Sequence, residues 1–255
     1  MAEYLTNEAA IKATADAIRK KTGKSATISW NKDKGFANEI SSVPSGATKP
    51  YTEETLDGSG SVASAKLYGY VNVRKALYKE ATTLKTVTLN ECGSLKDDVF
   101  NGCTALTTVT FENGSSPLEI GARCFSGCRA LNSITLPNSI KTIKESAFYG
   151  CDGMAMFGSL ELSNSLESIG KQAFYGTQMG TVTIPASVKT IEDGAFSSMA
   201  FLSQVTFQGT PTTISSTAFS NCSGLSTVNV PWAQDAVANA PWGATSATIN
   251  YNYKG

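Results

Sequence analysis

The sequence predicts a repeat solenoid, a stack of similar coils joined by a ladder of parallel β-strands. Two observations predict it. An aromatic residue recurs every 22 to 26 residues, and a short apolar–polar–apolar triplet follows each recurrence. One such unit cannot cover its own apolar face, so about seven stacked copies are needed to bury a continuous core. The aromatic residues, called anchors below, are Tyr78, Phe100, Phe125, Phe148, Phe174, Phe196 and Phe219.

Other positions recur together with the anchors. The residue five before each anchor is apolar in all seven copies, and the residue one before it is small or apolar. Alternation within the triplet predicts a strand whose outer side chains share one face and whose middle side chain meets solvent. The triplets begin at Val87, Val109, Ile134, Leu160, Val182, Val205 and Val228.

Two segments of the repeat resemble the BspA-like class of bacterial leucine-rich repeats. They are Ile-Lys-Glu-Ser-Ala-Phe-Tyr-Gly-Cys at 143–151 and Ile-Thr-Leu-Pro-Asn-Ser-Ile at 134–140. The spacing lies within the range of about 20–29 residues for such repeats. The resemblance covers roughly residues 67–231, although Thr177 and Met199 stand where the family usually has cysteine. It implies a surface or interaction protein.

The two ends depart from the repeat. Residues 1–43 predict a small α/β or helical module, with helices near 7–21 and 36–43 and a strand near 26–30. So short a piece forms a marginal core, so we expect it to attach to a partner or to form a homo-oligomer. Residues 44–66, rich in turn-forming residues, predict a linker before the solenoid at 67–231. Residues 232–255 predict a C-terminal cap, in which tryptophans cover the open end.

Both ends also carry a second resemblance. Residues 15–25, followed by Gly35-Phe36, resemble the N-terminal module of tail-associated proteins from phages and prophages of Gram-positive hosts. The C-terminal segments 230–233, 240–244 and 249–253 resemble the ending of leucine-rich-repeat proteins encoded beside such tails. The first residues lack the features of a signal peptide. The resemblance therefore implies a virion or a bacterial cell surface as the location.

The composition argues against several functions. Lysine plus arginine equals aspartate plus glutamate, at 21 each, so no excess of positive charge favours nucleic acid. No apolar run is long enough to predict membrane insertion. The absence of histidine removes histidine-based catalysis and metal binding. We therefore predict no enzyme, no catalytic, metal or cofactor-binding residue, and no cofactor. A glycan-active enzyme with paired carboxylates is the least favoured alternative, because the acidic residues are scattered.

The cysteines follow the repeat. Four of the six fall three residues after an anchor, where other copies have Ala81, Thr177 and Met199. A position shared with alanine and methionine is typical of a core site, so we predict buried, reduced thiols. Threonines beside the strand triplets would form a regular hydroxyl array that could match an ordered lattice such as ice or a polysaccharide. We favour β-propensity on an exposed strand, which explains them without a ligand.

The candidate binding residues are Tyr149 and Tyr175, which follow their anchors in consecutive copies. Other copies have polar residues at this position, so it faces solvent, and stacked tyrosines there would form a platform for a partner. The expected partner is a protein or a cell-surface glycan. The preferred hypothesis is a structural or binding component of a phage or prophage tail, and the alternative is a bacterial surface adhesin.

Overall fold

The computed structural model describes residues 30–31, 35–36, 51–56, 61–70, 72–112, 115–154 and 162–255. From residue 61 onward these residues wind into a β-solenoid whose coils cross two ladders of strands. The strands in chain order are β1 (Trp30–Asn31), β2 (Gly35–Phe36), β3 (Tyr51–Leu56), β4 (Val62–Tyr68), β5 (Asn72–Val73), β6 (Thr86–Asn90), β7 (Ser94–Leu95), β8 (Thr108–Glu112), β9 (Glu119–Ile120), β10 (Ser133–Ile134), β11 (Thr142–Ile143), β12 (Ser168–Ile169), β13 (Thr181–Ile184), β14 (Thr190–Ile191), β15 (Gln204–Phe207), β16 (Thr213–Ile214), β17 (Thr227–Asn229) and β18 (Thr248–Asn250).

The first ladder contains six of the predicted triplets. It consists of a five-stranded sheet in the order β10-β8-β6-β4-β3 and a four-stranded sheet in the order β13-β15-β17-β18. Parallel pairing is in register, with Val87 opposite Val109 and Val205 opposite Val228. The outer residues Val87 and Leu89 are buried, as the alternation predicts. Residues 160–161 of the fourth triplet lie outside the described residues.

The second ladder contains the apolar residues that stand five before each anchor. It is a single seven-stranded parallel sheet in the order β16-β14-β12-β11-β9-β7-β5. Each strand has two residues, and the apolar one is buried, as Ile143 and Ile169 are. The sequence predicted the apolar position but not the strand. The core lies between the two ladders, where side chains from both meet.

The anchors line up as one interior row. Phe100, Phe125, Phe148, Phe174, Phe196 and Phe219 are fully buried, and Tyr78 is nearly so. Neighbouring rings are stacked, with centroids 5.9 Å apart at the Tyr78 end and 5.2 to 5.4 Å apart thereafter. Each anchor N–H also donates to a carbonyl of the next coil, as Phe148 does to Ala173 at 2.7 Å. The predicted row is therefore confirmed.

The turn around each anchor needs left-handed backbone. The residue two positions after the anchor has positive φ in all seven coils, and it is glycine in four of them, such as Gly150 at +64° and Gly176 at +72°. Glycine adopts this conformation without a steric penalty, which explains its recurrence. The residue two before the anchor is also left-handed in six coils, although it is Arg123 in one and Gln172 in another.

One of these left-handed residues, Asp98, is held by the next coil. Its carboxylate is largely buried and accepts hydrogen bonds from Arg123 Nε at 2.8 Å, from a second guanidinium nitrogen at 3.0 Å and from Asn101 Nδ2 at 2.9 Å. The hydrogen bonds from Arg123 hold the pKa of Asp98 below its usual value, against the opposing effect of burial. The pair thus ties two coils together in its ionised form.

This pair gives the first prediction, a loss of stability in acid. Because the folded-state pKa of Asp98 is depressed, its contribution is complete above the unfolded pKa of about 3.9 and is lost as pH falls through the folded value. The urea midpoint of the wild type should fall more between pH 6 and pH 2 than that of an Asp98→Asn variant. Parallel pH profiles for the two proteins would contradict the assignment.

The N-terminal end of the solenoid is closed by β3, which pairs antiparallel with β4. The Tyr78 hydroxyl donates to Glu54 Oε1 at 2.5 Å, which explains why the first anchor is a tyrosine rather than a phenylalanine. Thr52 and Tyr70 add a hydroxyl contact at 2.8 Å. The prediction of a linker is wrong for residues 51–56 and 62–66, because these residues form strands that cover the end of the first ladder.

The C-terminal residues form an eighth coil, so the prediction of about seven repeats is one too low. β18 continues the first ladder beyond β17. The Phe219 N–H donates to the Trp242 carbonyl at 2.9 Å, and each earlier anchor N–H donates in the same way to the residue just before the next anchor. Gly243 takes the anchor position, and a Cβ there would lie 2.5 Å from Ser220 Oγ. No aromatic side chain fits at that position, which hid this coil from the sequence pattern.

The two tryptophans of this coil complete the core, as predicted. Trp242 is fully buried and Trp232 nearly so. The centroids of the two tryptophan rings are 6.1 Å apart, and the ring centroid of Phe207 lies 5.1 Å from that of Trp232. The Asn239 side chain donates to the Ile214 carbonyl at 3.1 Å and so satisfies an acceptor at the end of the second ladder. The middle residue Asn229, predicted to face solvent, is buried because Asn250 of β18 covers it and donates to it at 2.8 Å.

Most of the predicted N-terminal module lies outside the described residues, including the helix near 7–21, residues 37–43 of the second helix and most of the strand near 26–30. Phe36, the predicted start of the second helix, is instead a strand residue. The structure describes only β1 and β2 there, an antiparallel pair in which Trp30 is opposite Phe36.

Candidate binding surface

The two candidate tyrosines stack on the outside of the solenoid. The rings of Tyr149 and Tyr175 have centroids 4.7 Å apart and planes within 4° of parallel. They occupy equivalent positions in neighbouring coils, so they repeat outside the core the stacking of Phe148 and Phe174 within it. Tyr149 is 38% exposed and Tyr175 is half-buried. The structure therefore brings the two predicted residues together as one exposed pair, called the tyrosine pair below.

The side chains next to the tyrosine pair in the column are small. They are Ser126 on one side and Ser197 on the other. Ser197 is buried, and its hydroxyl donates to the Ser220 carbonyl at 2.7 Å. The residues that follow the tyrosines are Gly150 and Gly176, and a Cβ added to either would meet nothing within 4 Å. Sequence reasoning named the tyrosines but missed the free space beside Gly150 and Gly176, although the recurring glycines were visible in the sequence.

The scattered acidic residues are engaged in contacts between coils. Glu119 bridges Lys96 at 2.7 Å and Lys144 at 3.0 Å. Burial favours the neutral form of Glu119, but the hydrogen bonds from the two lysines outweigh it and lower its pKa. Glu167 bridges Lys189 at 2.8 Å and Lys141 at 3.6 Å. These carboxylates hold neighbouring coils together, which is a structural role.

A second group of acidic residues lines a shallow open basin beside the second ladder. Glu192 Oε2 accepts a hydrogen bond from the Lys171 backbone N–H at 2.9 Å, and Asp193 accepts one from the Ser215 hydroxyl. Among the described residues, no group of three metal-ligating side chains converges. The basin provides neither the enclosure nor a convergent set of ligands that would make it a site.

The cysteines confirm the prediction of buried core thiols. All six are free and buried. In the column three after the anchors, each thiol donates to the carbonyl of the preceding coil's anchor, as Cys128 does to Phe100 at 3.1 Å and Cys151 to Phe125 at 3.1 Å. Burial raises the pKa of Cys103 to about 12 and that of Cys222 to about 11. Such thiols are poor nucleophiles, because the thiolate is the reactive form.

A second prediction follows for thiol chemistry. In the native protein at pH 8, the six cysteines should react with a disulfide reagent such as dithionitrobenzoate far more slowly than a free thiol does, and all six should react rapidly in 6 M guanidinium. The physical reason is burial together with the raised pKa. Stoichiometric labelling of the native protein within minutes would contradict it.

The exposed threonines of the first ladder form no continuous array. Thr110 and Thr183 are exposed, but Thr88 and Thr206 are partly covered. The column also contains buried Asn229. The strand environment accounts for these threonines, as the sequence analysis proposed.

Stacked coils with a common interior row and a variable outer surface define a solenoid scaffold. The leucine-rich-repeat model for BspA-type regions matches residues 71–157 and 118–240, in six copies. Because these matches cover more than half of the chain, it belongs to the BspA-type leucine-rich-repeat family. No curated protein matches the chain.

Solved structures share the fold. A leucine-rich-repeat protein from Bacteroides ovatus is 25% identical, with a TM-score of 0.52, over 72% of this chain and 46% of that protein. The chain thus spans less than half of that relative's length. A leucine-rich-repeat protein from Eubacterium ventriosum is 18% identical, with a TM-score of 0.51, over 80% of this chain and 73% of that one. Among the described residues, no helix is long and apolar enough to cross a membrane.

Proposed function

We propose that this chain is a non-enzymatic binding protein that presents the tyrosine pair to a protein or a cell-surface glycan. The single observation that carries the proposal is the parallel stacking of Tyr149 and Tyr175 on the outside of the solenoid, with Tyr149 38% exposed. Two rings fixed against each other lose little side-chain entropy when a ligand binds, and aromatic residues supply much of the affinity at binding surfaces.

The setting that we propose is a phage or prophage tail, on a virion. The support is the resemblance of residues 15–25 and of the C-terminal segments to tail-associated proteins. In this setting residues 1–43 attach the protein or form a homo-oligomer, and the solenoid is the presented surface. The alternative is a bacterial surface adhesin, which the family resemblance favours. Tail and lysis genes beside the coding sequence would support the first, and an export signal or wall anchor in the full gene product the second.

The experiment that tests the binding role uses the full chain on an array of glycans and bacterial cell-wall preparations. Replacing both residues of the pair, Tyr149→Ser with Tyr175→Ser, should abolish a positive signal. The melting temperature should stay unchanged, because neither ring belongs to the core. The matched control is Phe201→Ser, which removes another aromatic ring that is 47% exposed at a different position of the repeat.

Binding by the double variant at wild-type strength would refute the role of the tyrosine pair. An equal loss in the Phe201→Ser control would show that the signal reflects general surface hydrophobicity. Turnover of any arrayed glycan would instead support an enzyme, the third alternative of the sequence analysis.

A further inference from the structure

The coils on both sides of the tyrosine pair have a serine, not an aromatic residue, at the equivalent position. Within the pair, each ring covers one face of the other, because the planes are within 4° of parallel at a centroid distance of 4.7 Å. The remaining face of Tyr149 points along the solenoid toward the preceding coil. That coil carries Ser126 where a third ring would stand. The outer face of Tyr149 is therefore the free end of an aromatic stack.

The place above Ser126 lies one coil away from Tyr149, and one coil is the interval at which rings stack in this fold. Neighbouring coils hold Phe125 and Phe148 with centroids 5.2 Å apart in the interior, so a ring at the level of Ser126 would stack on Tyr149 at a similar spacing. The backbone beside it is glycine, since Gly127 follows Ser126 and Gly150 follows Tyr149. A Cβ on Gly127 would meet only the backbone of Gly102, at 3.8 Å. We call this place the ring slot.

The surface around the ring slot is polar and balanced in charge. The turn that contains Ser126 carries exposed Arg123 and Arg129, and the turn that contains Tyr149 carries exposed Glu145 and Asp152. Among the described residues, the other exposed large apolar side chains, Leu118, Phe201 and Tyr253, occupy different positions of the repeat. A protein interface of ordinary size needs about 800 Å² per partner with an apolar centre, and no such patch surrounds the slot.

Resting on the proposed function, we propose that the ring slot binds one pyranose ring of a neutral glycan, stacked on the outer face of Tyr149. The aromatic face is electron-rich and attracts the slightly positive C–H groups of a sugar face. The sugar hydroxyls at the ring edge remain in reach of solvent and of the polar side chains of the two turns. A neutral sugar suits a site whose exposed positive and negative neighbours are equal in number.

The experiment titrates the full chain with four neutral tetrasaccharides, namely maltotetraose, cellotetraose, chitotetraose and mannotetraose, by saturation-transfer NMR and tyrosine fluorescence. Ser126→Gln fills the slot without a ring and should weaken binding about tenfold or more, because it covers the outer face of Tyr149 and offers no new aromatic face. Ser126→Leu, which also fills the slot without a ring, serves if the glutamine variant folds poorly. Lys79→Gln, in the same column two coils away, is the matched control and should bind as the wild type does.

Variants of Tyr149 itself identify the interaction. Tyr149→Phe keeps the ring and should retain affinity close to that of the wild type, whereas Tyr149→Ser should lose it. A folded Ser126→Gln or Ser126→Leu variant with wild-type affinity would overturn the ring slot. If that same experiment showed loss of binding in the Tyr149→Ser and Tyr175→Ser variant, the proposed function would still stand. Wild-type protein that binds an aromatic-rich peptide pool but none of the saccharides would overturn the glycan assignment.

Discussion

Replacing Phe148 with alanine should lower the free energy of unfolding by about 3–5 kcal/mol, the usual cost of removing a fully buried phenylalanine. The ring lies between Phe125 and Phe174, with centroids at 5.2 and 5.3 Å. Its loss removes both stacking contacts and leaves a cavity in the middle of the row. The backbone pairing of the second ladder holds the neighbouring coils at their spacing, so collapse cannot fill the cavity. Urea unfolding followed by far-ultraviolet circular dichroism measures the effect.

The control for this variant is Leu118→Ala. Leu118 is 56% exposed, so its truncation should change stability by less than about 0.5 kcal/mol. Phe148→Leu, which retains most of the volume, should fall between the two. A Phe148→Ala protein as stable as Leu118→Ala would mean that the row of rings does not support the fold.

Replacing Gly121 with alanine should cost about 3 kcal/mol by overpacking. A Cβ at this position would lie 2.4 Å from the Lys96 carbonyl carbon and 2.6 Å from the Asp97 nitrogen, both in the backbone of the preceding coil. The Gly121 N–H donates to the Leu95 carbonyl at 2.8 Å, so relief requires the two coils to separate at a ladder hydrogen bond. The melting temperature and the urea midpoint should both fall clearly.

Gly176→Ala separates crowding from backbone strain. Gly176 has a φ of +72°, but a Cβ there would meet nothing within 4 Å. This variant should therefore cost only the strain of a left-handed non-glycine residue, about 1–2 kcal/mol. Equal losses in the two variants would show that the close approach at Gly121 is relieved without cost.

The interior row was predictable because its signal is repeated. Seven aromatic residues at a regular spacing are best explained by stacked coils, and the strand triplets recur at the same spacing. The second ladder gave no such signal, since each of its strands has two residues, such as Thr142–Ile143, and so shows no alternation. The eighth coil was hidden because Gly243 replaces the anchor and Trp242 fills the core from the preceding position.

The error at the N-terminal end has a different cause. β3 has the sequence Tyr-Thr-Glu-Glu-Thr-Leu, and the glycine- and serine-rich residues 57–61 follow it. These features are typical of a linker when read locally. The strand forms because the first ladder leaves an edge that needs a partner, and Glu54 meets the Tyr78 hydroxyl. Such a tertiary requirement leaves no local pattern.

The candidate site was predictable in part. The equivalent positions of Tyr149 and Tyr175 were sufficient to predict stacking, because coils in register place equivalent side chains one above the other. The free face beside Ser126 depends on the separation of the coils and on the exposure of the rings, which only coordinates provide. The inward turn of the Ser197 hydroxyl is likewise a property of the folded turn.

The closure of the two ends by elements unlike the middle coils has a consequence for how this molecule changes length. Inner coils meet nearly identical surfaces above and below, with rings 5.3 Å apart at Phe148 and Phe174. A gene duplication that inserts one more inner coil therefore creates no new kind of junction and extends the molecule by one such step. β3 at one end and the eighth coil, with its two tryptophans, at the other are unchanged by such a duplication. Variants of different lengths can thus arise by copying or deleting whole units while keeping the same two termini.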